Sequence, residues 1–333
     1  ALDFFSTLSV AVIALFLGLH LIDGEIGLLT ALTILILAPE YFKPIKDFGS
    51  DYHATLNGKN AWQSISQWLS EPEPKLEKAA VPEWNDHSVM HFESVSLQHK
   101  DAENETLKNL SFSIKGYQKI GIIGASGAGK STLIDLLGGF LEPSSGKIEI
   151  DGQCLKTLNL ESWQKQMLYI PQHPYIFHDT VAGNIAFYSP KATKSEIKEV
   201  CGLVGLTEAV ALLPNGLQEV IGESGHLLSG GQEQRIALAR AFLDQSRKIL
   251  LFDEPTAHLD IETEWELKQN MLPLMANRLV FFATHRLHWM PDMDYILVLD
   301  NGKIVEMGTH EELLKNKQHY CKLVQAQMGE VQV

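Results

Sequence analysis

GASGAGKS, residues 124–131, follows the apolar run IGII at 120–123 and precedes the apolar-periodic run TLIDLL at 132–137. This order predicts a strand, a glycine-rich loop and a helix, which is the context that a phosphate-binding P-loop requires. The glycines let backbone N–H groups turn toward phosphates, and the helix N-terminus adds a partial positive charge. A chance glycine-rich turn is the alternative interpretation, and the complete motif with both flanks disfavours it.

The P-loop predicts a nucleotide and Mg²⁺ as the bound groups and gives two of its side chains defined roles. Lys130 should reach the β- and γ-phosphates, and the Ser131 hydroxyl should bind Mg²⁺. The other phosphate contacts are expected from Gly124, Ser126, Gly127, Gly129 and Thr132.

The composition limits the class of protein. The chain has 333 residues, enough for more than one structural unit. Its net charge of −14 argues against nucleic acid as the main partner, since that binding depends on basic surface. The cysteines are far apart and form no C-x-x-C pair, so they are typical of a reducing compartment rather than of a disulfide or metal framework. They are Cys154, Cys201 and Cys321.

Two apolar runs, at 8–22 and 26–38, flank the acidic turn at 23–25. A membrane-spanning helix needs about 20 residues. The first run reaches that length with residues 1–7, and the second reaches it if the helix continues through Pro39. Neither run repeats a polar face at helical spacing, so we predict two membrane helices; a buried helical hairpin in a soluble domain is the alternative. The chain begins with Ala1 and has no basic segment there, so we do not expect a signal peptide.

The charges around these runs predict an orientation. Lys43 and Lys46 follow the second run, which places the acidic turn outside and the rest of the chain in the cytoplasm. Residues 41–69 should continue the second helix as an amphipathic cytoplasmic extension. The predicted domains are therefore a membrane part at 1–69, a proline-rich charged linker at 70–86, and a third part at 87–333.

The third part alternates strand and helix patterns, which indicates an α/β fold. Residues 248–252 and 279–283 are apolar strands of the parallel type. Residues 295–299 and 303–307 should form a hairpin with a type I′ turn at Asn301-Gly302. Residues 191–213 are predicted to be mostly helical, and 311–328 to form one closing helix.

An acidic pair follows the apolar strand ILLF at 249–252. Asp253 should stand at the carboxyl end of this strand, beside the P-loop, and bind Mg²⁺ together with Ser131. Glu254 is then placed to orient or deprotonate an attacking water. An Asp-Glu pair alone is a weak signal, and a preceding P-loop makes it strong.

A second glycine-rich stretch, LSGGQ, opens the predicted helix at 233–242. Its hydroxyl and N–H groups predict a second anion site, whereas the plain alternative is a serine N-cap with a flexible turn. The P-loop does not need a second such site for its own phosphates, so we expect it to serve a nucleotide held by another copy across a dimer. Its residues are Leu228, Ser229, Gly230, Gly231 and Gln232.

Together, the P-loop, LSGGQ, the Asp-Glu pair and a later histidine resemble the ATP-binding cassette (ABC) family over about residues 89–328. The resemblance implies a P-loop NTPase cassette with a mixed sheet and a helical subdomain. It implies that Gln172 contacts Mg²⁺ and couples to the membrane helices, that His285 contacts the γ-phosphate, and that Asp260 belongs to the D-loop. Two positions depart from the family pattern: His99 stands where the family usually has an aromatic residue that stacks on adenine, and His258 alters the D-loop. A plain loop residue is the alternative for His99.

The apolar hairpin resembles the last two of six membrane helices in an exporter half-transporter, so the first four are expected upstream. Four stretches, ALDFF, LAPEYF, DYHA and DEPTAHLD, resemble the CydD subunits of exporters for cytochrome bd assembly. That resemblance implies export of cysteine and glutathione from a bacterium and a multi-pass location in its cytoplasmic membrane. It also implies a second half-transporter subunit as partner, in a heterodimer with a CydC-like chain.

Two alternatives stay open at this point. Within transport, the chain could belong to a drug, lipid or peptide exporter. In a different class, it could be a soluble cassette ATPase of DNA repair or translation, although such proteins lack a fused apolar hairpin.

Overall fold

The computed structural model describes residues 2–70, 80–99, 104–223 and 225–330. The chain divides into two compact units, Ala1–Lys75 and Leu76–Val333. Most of the predicted linker, at 71–79, and the loop at 100–103 lie outside the described residues.

The first unit consists of two helices, α1 (Leu2–Ile22) and α2 (Leu28–Ser70), that pack against each other. Both are long and apolar enough to cross a membrane, with mean hydropathy of 2.2 for Phe4–Ile22 and 1.4 for Leu28–Ser70. Large apolar side chains on them are exposed rather than packed in a protein core, which is what a lipid-facing helix presents. The predicted extension at 41–69 lies within α2, which continues through Pro39 and Pro44.

The second unit contains two main sheets. The antiparallel sheet has the order β2-β1-β4-β5, with β1 (Val89–Leu97), β2 (Leu107–Lys115), β4 (Ser145–Ile150) and β5 (Gln153–Leu155). The larger sheet has the order β12-β11-β3-β10-β9-β6, with β3 (Lys119–Ile123), β6 (Met167–Ile170), β9 (Ile249–Asp253), β10 (Leu279–Ala283), β11 (Tyr295–Asp300) and β12 (Lys303–Gly308). A short pair joins β7 (Asp179–Thr180) to β8 (Val220–Ile221).

Helices surround these sheets. They are α3 (Lys130–Leu137), α4 (Glu161–Gln164), α5 (Val181–Ile185), α6 (Lys194–Leu203), α7 (Thr207–Ala211), α8 (Gly230–Leu243), α9 (Ile261–Met275), α10 (His310–Asn316) and α11 (His319–Glu330). Two 3₁₀ turns, Gly216–Gln218 and Leu287–Asp292, complete the described part of the unit.

The larger sheet is parallel apart from β12, and its register explains where the site lies. Ala283 at the end of β10 pairs with Ile122 of β3 on one side and with Asp253 of β9 on the other. Carboxyl ends of parallel strands meet at one edge of a sheet. The chain segments that leave these three strands, including the P-loop, therefore emerge side by side.

Both faces of β9 and β10 are buried, which explains their uninterrupted apolar sequences. Alternate residues point to opposite faces of a strand. One hydrophobic core takes Leu250, Phe252, Val280 and Phe282, and a second core takes Ile249, Leu251, Leu279 and Phe281.

The predicted hairpin is confirmed, because Asn301 (φ 48°) and Gly302 (φ 79°) both have the positive φ of a type I′ turn. The region at 191–213 is mostly helical, as predicted, and consists of α6 and α7, with Gly205 between them at φ 68°. The prediction of one closing helix was too long. The closing helix at 311–328 is divided into α10 and α11, because Lys317 ends α10 in the left-handed conformation at φ 52°.

Candidate functional site

A cleft of about 660 Å³ opens at the carboxyl edge of the larger sheet. Its lining combines residues from five separate stretches of sequence: Thr106, Ser126, Gly127, Gly129, Lys130, Ser131, Thr132, Gln172, Glu254 and His285. The fold thus brings most of the predicted phosphate-binding residues together with Gln172, Glu254 and His285. Gln172 reaches the cleft because β6, which ends two residues before it, lies next to β9 in the sheet.

The P-loop turns into α3 through glycines in the left-handed region. Gly127 has φ 77° and Gly129, the N-cap of α3, has φ 103°. A β-carbon at Gly129 would also come within 2.9 Å of Leu107 Cδ2, so a side chain is excluded there on two grounds. No side chain caps the first turn of α3, so its N–H groups are available to an anion.

Lys130 is held inside this loop although it is charged. It is only 8% exposed, and its Nζ donates to the carbonyl oxygens of Gly124 at 3.1 Å and Ala125 at 3.3 Å. The same Nζ lies 3.8 Å from Glu254 Oε1. These contacts fix the ammonium group at the floor of the cleft, between the loop and the acidic pair.

Asp253 carries the signs of a metal ligand. Burial raises the pKa of its carboxyl group, a hydrogen bond from Ser131 lowers it, and the charge of Glu254 raises it further. Its Oδ1 is buried and has no hydrogen-bond partner in the described part of the chain. A buried carboxylate oxygen without a partner, beside a hydroxyl, fits Mg²⁺, which prefers oxygen ligands and completes its shell with water and phosphate. Ser131 and Asp253 are therefore side chains that would hold this ion.

Glu254 is oriented by hydrogen bonds on one of its two carboxylate oxygens. Oε2 lies 2.8 Å from His285 Nδ1, and it accepts from the His285 N–H and the Thr284 hydroxyl, both at 3.3 Å. Oε1 faces Lys130 and the cleft. The carboxylate therefore presents one fixed oxygen to its neighbours and one to the space above the P-loop.

The backbone of Glu254 is strained in order to reach this position. Its φ of 49° is unusual for a non-glycine residue. The Glu254 N–H donates to Ala283 O at 2.9 Å, and the Glu254 carbonyl accepts from Gln234 Nε2 at 2.9 Å. These two bonds hold the strained residue in place.

The LSGGQ segment is not part of this cleft. Ser229 is the N-cap of α8, and it forms a capping box with Gln232: its Oγ accepts from Gln232 N–H at 3.3 Å, and Gln232 Oε1 accepts from Ser229 N–H at 2.9 Å. Ser229 is exposed. The plain N-cap interpretation is thus correct for this chain alone, and the predicted role across a dimer stays a prediction.

The D-loop lies beside the LSGGQ segment. The ring of His258 packs near Gly230, where a β-carbon would lie 3.4 Å away, and its ring centroid is 5.5 Å from that of His173. Asp260 caps α9 by accepting from the Thr263 N–H at 2.9 Å, and such bonds lower the pKa of its carboxyl group. Asp260 does not line the cleft, so its D-loop role also stays a prediction.

His99 does not line the cleft either. It is exposed, and the four residues after it lie outside the described chain. Thr106, which the sequence did not single out, lines the cleft instead. Its carbonyl oxygen would lie 2.2 Å from a β-carbon on Gly302, so the β11–β12 turn needs glycine where it passes Thr106. The contact of His99 with adenine remains a prediction.

Two residues that the sequence analysis missed hold the D-loop from opposite sides. Gln234, which is fully buried, accepts from the His258 N–H at 3.0 Å with the same side chain that donates to Glu254. Arg286 donates to the carbonyl oxygens of Ala257 at 3.2 Å and Leu259 at 3.0 Å. No sequence pattern distinguishes Gln234 from its neighbours on α8. Its contacts with Glu254 and His258 are visible only in the folded structure.

Glu264 anchors Arg286 in a buried ion pair. Burial alone would raise the pKa of the Glu264 carboxyl group, but hydrogen bonds from its neighbours outweigh burial and lower the pKa to about 2. Those neighbours are His288, whose Nε2 lies 3.4 Å from Glu264 Oε1, and the hydrogen-bonded Thr256, Trp289 and Arg286. The D-loop is therefore tied to a carboxylate that stays ionised at neutral pH.

Comparison with known proteins agrees with this geometry. The family described as "ABC transporter" matches residues 107–257. The chain is 57% identical over 331 residues to the "Glutathione/L-cysteine transport system ATP-binding/permease protein CydC" of Bacillus subtilis, covering 99% of this chain and 57% of that protein. It is 37% identical over 303 residues to an "ATP-dependent lipid A-core flippase" of Nitrosococcus oceani, covering 91% of this chain and 49% of that one.

A solved structure of a bacterial Atm1-family ABC exporter with ATP bound is also similar. It has a TM-score of 0.71 and 30% identity, over 98% of this chain and 57% of that chain. The chain thus spans about half the length of the proteins that it matches. The Bacillus subtilis relative is named CydC, whereas the sequence stretches were interpreted as CydD-like, so the similarity points to the other subunit of the predicted pair.

Proposed function

The chain belongs to the ABC transporter family, and from that membership we propose that it binds and hydrolyses ATP as part of a CydC-type exporter of small thiols. The observation that carries this proposal is the arrangement in the cleft. Lys130, Glu254 and His285 converge there on the open N-terminus of α3, and Asp253 is hydrogen-bonded to Ser131, which lines the same cleft. Exporters of this family use the same domain to hydrolyse ATP.

In the proposed mechanism each side chain of the cleft has one role. Lys130 and the first turn of α3 bind the β- and γ-phosphates. Glu254 Oε1 accepts a hydrogen bond from the attacking water, because Oε2 is already engaged by His285 and Thr284. His285 donates to the γ-phosphate from the ring nitrogen that does not face Glu254. Ser131 and Asp253, with Gln172 nearby, would hold Mg²⁺, which would supply positive charge to the phosphate oxygens.

A second cassette is part of the proposal. Leu228–Gln232 lies on the surface, away from the cleft of its own chain, which supports its use on the nucleotide of a partner subunit. We propose a heterodimer. Because the similarity is to CydC, the partner would be a CydD-like chain, which reverses the assignment made from the sequence stretches.

The two candidate spans support a location in the bacterial cytoplasmic membrane, as part of a multi-pass protein with the cassette in the cytoplasm. This location and the similarity to exporters disfavour the soluble repair or translation ATPase. Lipid export is the second candidate function, because a lipid A-core flippase is 37% identical to the chain.

ATP hydrolysis by the full-length native protein, purified with its partner in lipid nanodiscs, tests the catalytic part. Glu254→Gln should retain ATP binding but lose about 10²–10⁴ in rate, which is the usual contribution of a positioned base. Glu262→Gln, an exposed acidic residue on α9, is the matched control and should keep the native rate. Native turnover in Glu254→Gln would show that Glu254 is not the base.

Uptake into inside-out vesicles tests the substrate. Vesicles that contain the native pair should accumulate labelled glutathione or cysteine in the presence of ATP, and vesicles with Glu254→Gln should not. ATP-dependent movement of lipid without thiol uptake would replace the thiol proposal with lipid export.

A further inference from the structure

The closing helix α11 presents one face to the rest of the cassette. Tyr320, Leu323, Val324 and Gln327 follow the i, i+3, i+4, i+7 spacing of a single helical face. Tyr320 is fully buried, and Leu323 and Val324 pack against the hydrophobic core. Gln327 therefore occupies the next inward-facing position, where the pattern calls for an apolar residue.

Both ends of the Gln327 amide are used. Nε2 donates to the His285 carbonyl oxygen at 2.5 Å, and Oε1 accepts from the Leu287 N–H at 3.1 Å. Glutamine carries a donor and an acceptor on one amide group, so it can bind a backbone carbonyl and a backbone N–H at the same time. Here it brackets Arg286, the residue between them.

The segment that Gln327 holds is also held from the side of the cleft. The His285 ring and N–H contact Glu254, and the Arg286 side chain contacts the D-loop carbonyls. Gln327 supplies the opposing contact from α11. Tyr320 keeps that helix in place, since its N–H donates to Glu306 at 2.6 Å and its hydroxyl lies 2.5 Å from His310 Nδ1.

The geometry points to Gln327 as a positioning residue for ATP hydrolysis: it sets the place of His285 against Glu254 by fixing the backbone on both sides of Arg286. This inference rests on the proposed ATPase function. Gln327 touches neither the nucleotide cleft nor the P-loop, so it acts only through the His285–Leu287 segment.

The expected effect of losing Gln327 is on turnover and not on ATP affinity. A single hydrogen bond contributes a factor of about two to ten. We therefore expect kcat to fall by about that factor, whereas KM for ATP stays at its native value. A merely structural role would instead affect both constants together, in proportion to the loss of folded protein.

The experiment compares four variants of the full-length protein with its partner in nanodiscs. Gln327→Met removes both hydrogen bonds at nearly constant shape, and Gln327→Glu keeps only the acceptor for Leu287. Gln325→Met and Gln325→Glu are the matched controls, because Gln325 is exposed on the same helix. Both Gln327 variants should lose kcat, and both Gln325 variants should match the native protein.

Three results would overturn the inference. Native kcat in both Gln327 variants would show that the contact does not position His285. An equal loss in the Gln325 variants would show a general effect of the helix. Failure of the native pair to hydrolyse ATP at all, with Glu254→Gln indistinguishable from it, would remove the proposed function itself and this inference with it.

Discussion

The helices α3 and α8 both begin at a glycine-rich turn with a serine close by, yet their N-termini are built differently. The N-cap of α3 is a left-handed glycine without a side-chain cap, and the turn encloses the buried Lys130. The N-cap of α8 is Ser229, which caps the helix together with Gln232 and is exposed. One N-terminus is left open inside a cleft, and the other is capped at the surface, where Ser229 accepts from the Gln232 N–H.

This difference matters because the P-loop turn forms a cleft within one chain, whereas the LSGGQ turn does not. The P-loop turn offers N–H groups and a fixed cation in one cleft with Glu254, and Asp253 lies beside its Ser131. The LSGGQ turn is a capped helix start outside that cleft, and its proposed role is to contact a phosphate that a partner subunit brings to it. Gln234 and His258 connect the two regions within the chain, since Gln234 binds both the Glu254 carbonyl and the His258 N–H.

The largest expected effects are on ATP binding and hydrolysis, and they differ between variants of the P-loop turn and of the LSGGQ turn. Lys130→Ala removes a buried cation that should make two hydrogen bonds to phosphates, so the ATP dissociation constant should rise by about 10²–10⁴. Ser229→Arg should leave that constant unchanged and abolish hydrolysis, because its side chain would obstruct the partner's nucleotide. Titration with a fluorescent ATP analogue and steady-state hydrolysis measure the two effects.

Lys119→Ala is the control for Lys130→Ala, because Lys119 lies at the end of β3 that is far from the P-loop. The affinity of the Lys119→Ala variant for ATP should equal the native value. If Ser229→Arg hydrolysed ATP as fast as the native pair, the LSGGQ segment would have no role across the dimer and the contrast between the turns would be one of helix capping alone.

A smaller effect is expected at the connection to the D-loop. The lowered pKa of Glu264 means that its ion pair with Arg286 stabilises the fold above about pH 4.5, and this stabilisation is lost as the pH falls toward 2. We expect Glu264→Gln to cost about 2 kcal/mol at pH 7, allowing for solvent at Arg286. The unfolding midpoints of the two proteins should approach each other below pH 4.5.

Thermal unfolding followed by circular dichroism from pH 7 to pH 3 gives the comparison. Glu266→Gln, on the same helix, is the control. A difference between native and Glu264→Gln that stayed constant over this range would show that the carboxylate does not titrate as its surroundings predict.

The smallest effect concerns the adenine end of the site. Stacking of an aromatic ring on a base contributes about 1–3 kcal/mol, and imidazole is smaller than phenol, so we expect His99→Ala to weaken ATP binding by about 1 kcal/mol. His99→Tyr should match or exceed the native affinity. Isothermal titration of the three proteins measures this, and His91→Ala on the exposed face of β1 is the control. Equal dissociation constants for histidine, alanine and tyrosine would mean that the adenine is held elsewhere.

Local sequence patterns predicted the parts of the fold that depend on neighbouring residues. The P-loop, the acidic pair after β9 and the Asn301-Gly302 turn each depend on a strand and the few residues that follow it. The convergence of Gln172 and His285 on the cleft came from the family resemblance, and the parallel register of β6, β9 and β10 gives its physical reason.

The contacts that the sequence did not predict join residues far apart in the chain. Gln234 meets Glu254 across 20 residues, and Gln327 meets His285 across 42. Such pairs are selected by packing, and a single polar residue in a helix has no spacing that reveals its partner. The division of the closing helix was missed for a related reason, since Lys317 is an ordinary helix former whose left-handed conformation is set by its surroundings.

The two prolines of α2 lower the bending stiffness of one section of that helix. Pro39 cannot donate to the carbonyl of Leu35, and Pro44 cannot donate to that of Glu40, so two backbone hydrogen bonds are missing within ten residues. A helix that lacks these bonds is less stiff there than elsewhere along its 43 residues. Bending of α2 is therefore expected to concentrate around Pro39 and Pro44. This is the segment in which the apolar sequence of α2 changes to a polar one.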